Sequence, residues 1–156
     1  MTHLNIGDKA PTFSLPADHG DIVALKDFKG QKLVLYFYPK DDTSGCTKES
    51  CEFNENIKSF ERIGATIVGI SKDSVKRHDK FKEKYGFKFK LGSDENSDVC
   101  EQYGVWVQKS MYGRKYMGIE RTTFLIDEKG KIVHIWSKVK IDGHVDDVMK
   151  TIKSMK

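Results

Sequence analysis

Two apolar runs stand out along this chain against a strongly charged background. KLVLYFYP at residues 32 to 39 is almost continuously hydrophobic and stops at proline, and ATIVGISKD at 65 to 73 has the same character. Short runs without alternation predict strands covered on both faces. Between them, in CEFNENIKSFERIG, Phe53, Ile57, Phe60 and Ile63 recur at helical spacing and Gly64 supplies a stop. Strand, helix and strand in that order predict a parallel pair joined by a crossover helix.

Further elements follow from the same patterning. VKRHDKFKEKYG predicts a helix capped by Asp73 or Ser74 and closed by Gly86. FKFKLGSD alternates as an edge strand does, and SDVCEQYGV predicts a short helix ending at Gly104. TTFLID and KIVHIWS, joined by EKG, predict a β-hairpin. In the closing segment Val145, Val148, Met149 and Ile152 share one stripe of an amphipathic helix. At the front, APTFSLPADHGDIVALKDFKGQ predicts a short hairpin turning at DHGD. An α/β thioredoxin-like fold accounts for this order economically: a central mixed β-sheet flanked by helices, with an N-terminal β-hairpin extension. The closing hairpin argues against a purely parallel, doubly wound sheet.

Composition narrows the functional classes. At 156 residues with no linker-like stretch, one domain spanning 1–156 is expected. The longest apolar run is far too short to cross a bilayer, and MTHLNIGDKAPTFSL lacks a basic start followed by an apolar stretch. A cytoplasmic protein with no membrane partner is therefore expected. The net charge of +4 raises the question of nucleic acid. Its cations are interleaved with acids, as in KFKEKYGFKFK, and no recognition motif is present, so they predict a solvated face and no nucleic-acid partner.

Within that background, TSGCTKESC at residues 43 to 51 carries two of the three cysteines, directly after the first buried strand. Reaction sites in open α/β sheets gather beyond the carboxyl ends of strands, where helix N-termini also point. Thr43 or Ser44 is placed to cap a helix, which puts Cys46 in its first turn near unpaired N–H groups and the positive dipole end. Such surroundings favour a reactive thiolate. Cys51 lies one and a half turns on, so its Cα would sit roughly 8 to 9 Å from that of Cys46. A disulfide spans only about 4.4 to 6.8 Å, so bonding would require local unwinding. Packing alone could also account for Cys51, which neighbours Phe53 in a helix with a core face. A C-x4-C half-site suits zinc poorly, and His78, His134 and His144 have no finger-like spacing. The C-x-x-C motif of dithiol reductases is absent.

YPKDDTSGCTKESCEF, with MYGRKYMGIERTTFLID at 111 to 127 and KVKIDGH at 138 to 144, closely resembles the peroxiredoxins, in particular the peroxiredoxin Q or bacterioferritin comigratory protein group. The resemblance runs from GDKAPTFSL onward. It implies a thiol peroxidase acting on hydrogen peroxide and organic hydroperoxides without metal, haem or flavin. By position, it implies that Cys46 is the peroxidatic cysteine, that Arg121 holds its thiolate and binds the peroxide, and that the Thr43 hydroxyl orients both. Pro39 would shape the pocket. Cys51 would resolve the sulfenic acid as an intramolecular disulfide, reduced in turn by thioredoxin or a similar dithiol. Resolution within one helix needs no partner subunit, so a monomer is expected. Cys100 matches no family motif and is expected to be a packed helix residue, with a resolving role as the alternative. One departure is visible: Ser44 stands where the family commonly has proline.

Overall fold

The computed structural model describes residues 1–155, so Lys156, the last residue of the expected domain, lies outside the described residues. The front hairpin forms as β1 (Ser14–Pro16) and β2 (Ile22–Ala24), antiparallel with Leu15 opposite Val23. The first buried run is β3 (Lys32–Phe37). After it come α1 (Ser44–Glu55), α2 (Ile57–Arg62) and β4 (Ala65–Ser71). The single crossover helix expected from periodicity is therefore two helices, broken at Asn56 (φ −102°, ψ 9°). The Asn56 side chain donates back to the Glu52 carbonyl at 2.8 Å, the kind of local bond that competes with helix continuation.

Next follow α3 (Val75–Tyr85), β5 (Lys90–Ser93) and α4 (Val99–Gln102). Of the two caps expected for α3, Ser74 is the one used: its side chain accepts from the Arg77 N–H at 3.2 Å. Gly86 closes the helix in the left-handed conformation. A second hairpin, β6 (Trp106–Met111) and β7 (Arg114–Ile119), precedes β8 (Thr122–Ile126), β9 (Ile132–Trp136) and α5 (His144–Lys153).

One five-stranded sheet, in the order β5-β4-β3-β8-β9, organises the rest. β3, β4 and β5 run parallel, while β8 and β9 are antiparallel, giving the mixed sheet expected. Side-chain alternation along β3 divides the core into two. Leu33, Leu35 and Phe37 face one cluster, with Val68, Ile70, Phe124 and the α4 residues Val99 and Cys100. Val34, Tyr36 and Tyr38 face the other, with Cys46 and Phe53 of α1, Phe60 of α2, Phe81 of α3 and Val148 of α5. Buried side chains of this size contribute roughly 1.5 to 3 kcal/mol each.

Tyr36 ties α1 to the sheet. Its ring stacks on Phe53 with centroids 4.8 Å apart, and its hydroxyl shares a 2.8 Å hydrogen bond with the Ser50 hydroxyl. Space for the ring comes from its ladder partner on β4, Gly69, where a Cβ would lie 2.8 Å from Tyr36. Among the described residues no helix is long and apolar enough to cross a membrane.

Ser44 is the first residue of α1 and is exposed. That position favours the fixed φ of proline and needs no N–H. Ser44→Pro is therefore expected to stabilise the reduced protein by a few tenths to about 1 kcal/mol. The check is the melting temperature of the reduced form; an unchanged or lowered value would count against it.

Candidate active site

The loop leaving β3 turns sharply at Asp42, whose φ of 58° is left-handed, and enters α1 through Thr43 in extended conformation. Pro39 is partly buried, just after the last sheet bond, Tyr38 N–H to the Ile70 carbonyl at 3.1 Å. Cys46 is the third residue of α1 and 1% exposed. It sits where the backbone N–H groups of a helix lack internal partners.

Thr43 caps α1 by position and backbone, its carbonyl accepting from Thr47 N–H at 2.8 Å, but makes no side-chain cap bond. This corrects the expectation of a side-chain cap from Thr43 or Ser44. The Thr43 hydroxyl instead donates to the Lys40 carbonyl at 2.9 Å, closing the loop behind it. No side-chain cap therefore occupies the first turn's N–H groups beside Cys46.

Arg121, just ahead of β8, reaches across to this turn. One guanidinium nitrogen, Nη2, donates to Cys46 Sγ at 3.3 Å, and Nη1 donates to Glu49 Oε1 at 2.7 Å. The approach is close at Gly45, where a Cβ would lie 3.2 Å from Arg121 Nη2 and 3.2 Å from Ile141 Cδ1. Burial opposes the charge on Arg121, but Glu49 and then Cys46 raise its affinity for the proton above the usual value.

Sequence reading passed over Glu49, which is fully buried. Burial pushes its carboxyl up to about 7 against the pull of Arg121. Its Oε2 has no hydrogen-bond partner, with His144 Nε2 3.9 Å away. His144 is engaged with the Thr123 hydroxyl at 2.9 Å, and burial lowers it to about 4. The available signal for Glu49 was its position three residues after Cys46, on the same helical face. Lys109 on β6 was also missed. It is partly buried and lowered by burial and then by the Arg121 charge.

Both Cys46 and Cys51 are free thiols on an intact helix. Cys51 is partly buried, and burial followed by the Glu55 charge pushes its thiol up. Cys100 is buried in the cluster on the opposite face of the sheet from Cys46. Burial and Asp94 push its thiol far above the ordinary range. The structure thus brings Cys46 and Arg121 into contact, with Thr43 at the helix entry, Pro39 at the loop entry and Cys51 further along α1. Among the described residues no group of three or more His, Cys, Asp or Glu could hold a metal ion.

Comparison with known proteins shows the family. The model of the AhpC/TSA family matches residues 6–135. A putative peroxiredoxin bcp of Coxiella burnetii is 56% identical over 146 residues, covering 94% of this chain and 97% of its own length. Peroxiredoxin Bcp of Bacillus subtilis is 47% identical over 152 residues, covering 97% of each. A mutant of Xylella fastidiosa PrxQ superposes with a TM-score of 0.93 at 42% identity, over 99% of this chain and 98% of that one. Xanthomonas campestris bacterioferritin comigratory protein, solved to study its alkyl peroxide reduction activity, gives 0.89 at 41% identity over 99% and 98%. A thiol beside a guanidinium at a helix N-terminus, on this fold and with these relatives, places the chain in the AhpC/TSA family as a peroxiredoxin of the Bcp and PrxQ group, a thiol peroxidase.

Proposed function

We propose that Cys46 is the peroxidatic nucleophile, that Arg121, Thr43 and Pro39 form its peroxide site, and that Cys51 resolves the product. The observation that carries this reading is the 3.3 Å contact between Arg121 Nη2 and Cys46 Sγ at an uncapped helix N-terminus. A guanidinium is always charged and presents donors in a fixed fork, so it holds a thiolate and a peroxide oxygen together.

The thiolate attacks one oxygen of ROOH, the S–O bond forms and the O–O bond breaks. Two electrons pass from sulfur to the peroxide, and the departing alkoxide or hydroxide takes a proton and leaves as ROH or water. The donors of Arg121 and the first-turn N–H groups face the charge that develops on the departing oxygen. Cys46 is left as sulfenic acid. The Cys51 thiolate then attacks that sulfur, hydroxide leaves as water, and an intramolecular disulfide forms. Thioredoxin or a similar dithiol restores both thiols by exchange. Hydrogen peroxide and organic hydroperoxides are the proposed substrates, in keeping with the alkyl peroxide reduction of the Xanthomonas relative. The second step needs α1 to unwind, because residues five apart on an α-helix lie roughly 8 to 9 Å apart. Burial, and then the Glu55 charge, raises the Cys51 thiol while α1 is folded, which lowers its thiolate share before unwinding. Since resolution stays within one helix, the chain is proposed to act as a monomer, as a single peroxiredoxin domain over 1–156, in the cytoplasm.

In a peroxide-consumption assay coupled to thioredoxin, Cys46→Ser is expected to abolish turnover; full activity in that variant would sink the assignment. Cys51→Ser is expected to react once and then stall as the sulfenic acid. Continued cycling with thioredoxin would transfer the resolving role elsewhere, and mass mapping after one equivalent of peroxide should show Cys46 bonded to Cys51 and not to Cys100.

Glu49 adds a pH signature. Its folded-state carboxyl is raised from 4.5 to about 7, so between those values the folded protein binds a proton that the unfolded chain releases. Its contribution to stability therefore falls as pH rises through that window. Glu49→Gln keeps an acceptor for Arg121 and removes the titration. The melting temperature of the variant minus that of the native protein is expected to climb from pH 4.5 to about 7. A difference independent of pH would refute the assignment.

A further inference from the structure

The loop that delivers Cys46 to Arg121 is held by side chains outside that contact. Asp41 is buried; its Oδ1 accepts from the Tyr38 hydroxyl at 2.6 Å, and its Oδ2 lies 2.6 Å from Nδ1 of His78 on α3. His78 is itself fully buried, with Nε2 2.9 Å from the Gly92 carbonyl of β5. A carbonyl only accepts, so Nε2 donates to it, and Nδ1, facing a carboxylate oxygen, serves as the donor to Asp41. The Asp41 N–H donates to Asp73 at 2.8 Å. Asp42, in its left-handed conformation, accepts from Lys84 at 2.8 Å and Tyr85 at 2.7 Å, both on α3.

The loop before α1 is thus pinned to Tyr38, to Asp73 and to α3, while the first turn of α1 has no side-chain cap. Unwinding that turn moves Cys46 toward Cys51 and must then be reversed to restore the contact with Arg121. A fixed loop sets where the chain re-enters the helix.

We propose that the Asp41–His78 contact is the fixed pivot from which α1 presents Cys46 to Arg121, which makes His78 a positioning residue for the attack on peroxide. It touches neither sulfur nor substrate; it acts by holding the backbone from which Cys46 is presented to Arg121. The inference rests on Cys46 being the nucleophile, as proposed above.

Two replacements separate the contacts of His78. An asparagine amide can take the place of Nδ1, so His78→Asn keeps the donation to Asp41 and loses Gly92. A glutamine amide can take the place of Nε2, so His78→Gln keeps Gly92 and loses Asp41. Both alter a buried site, so a merely structural role would affect them alike. The reduced proteins are mixed with one equivalent of hydrogen peroxide, quenched at intervals, and mass-mapped for Cys46 sulfenic acid and for the Cys46 to Cys51 disulfide.

His78→Gln is expected to slow sulfenic acid formation about tenfold or more, with disulfide formation kept within about twofold, since small misplacements of reacting groups cost rate steeply. His78→Asn is expected to stay within about twofold of the native rate in both steps. Equal slowing in both variants, or proportional slowing of both steps, overturns the pivot. If His78→Gln does not fold, Asp41→Ala breaks the same contact from the loop side, with Tyr38→Phe as the control for the Tyr38 bond that it also removes. Oxidation of native Cys46 with His78→Gln indistinguishable from it overturns the pivot alone. A native Cys46 that stays a thiol under peroxide overturns the nucleophile assignment and the pivot with it.

Discussion

The Arg121 guanidinium lies between a buried sulfur and a buried carboxyl, and both groups depend on it. Cys46 and Glu49 are withdrawn from water, where a negative charge without a partner costs several kcal/mol. A lysine ammonium is a point charge and would serve one of them; the planar fork serves both through separate nitrogens. The constraint reaches into neighbouring positions. A Cβ at Gly45 would crowd the fork at 3.2 Å, and Tyr36 fixes the helix that carries Cys46 and Glu49 through its stack on Phe53 and its bond to Ser50.

Helix α1 is fastened unevenly. Its C-terminal half stacks Phe53 on Tyr36 of β3, while its N-terminal turn buries Cys46 in the same cluster and has no side-chain cap. Cys46 lies in the turn without a side-chain cap and Cys51 near Phe53. The sheet itself sets which thiols can meet, since Cys100 is sealed on its other face.

The strands β3 and β4 were legible because both their faces are buried, so the pattern is a continuous apolar run. The hairpin β6 and β7 was not, because most of its side chains are exposed and carry no hydrophobic period. Its turn was also disguised: Tyr112 and Gly113, with φ of 51° and 77°, take the geometry in which an asparagine would have signalled a tight hairpin. Position at a strand end made Cys46 visible from spacing, whereas Arg121 became visible only through the family resemblance, because a lone arginine before a strand looks like a surface ion pair. Glu49 stayed hidden because a charged residue on a helix is normally read as solvated. Its burial follows from where Arg121 reaches, a contact 72 residues away in sequence.

The uncapped first turn of α1 connects the chemistry to the conformational step. Leaving a helix without a side-chain cap costs about 1 kcal/mol. Here that cost keeps N–H donors open beside the sulfur, so on the proposed mechanism an oxygen of the peroxide takes the place of the missing cap. Once Cys46 has become a sulfenic acid, the product alcohol or water has left and the sulfur no longer bears a full charge. The turn then loses both its temporary cap and its ion pair with Arg121. The oxidation step thereby weakens the turn that must open for Cys51 to respond.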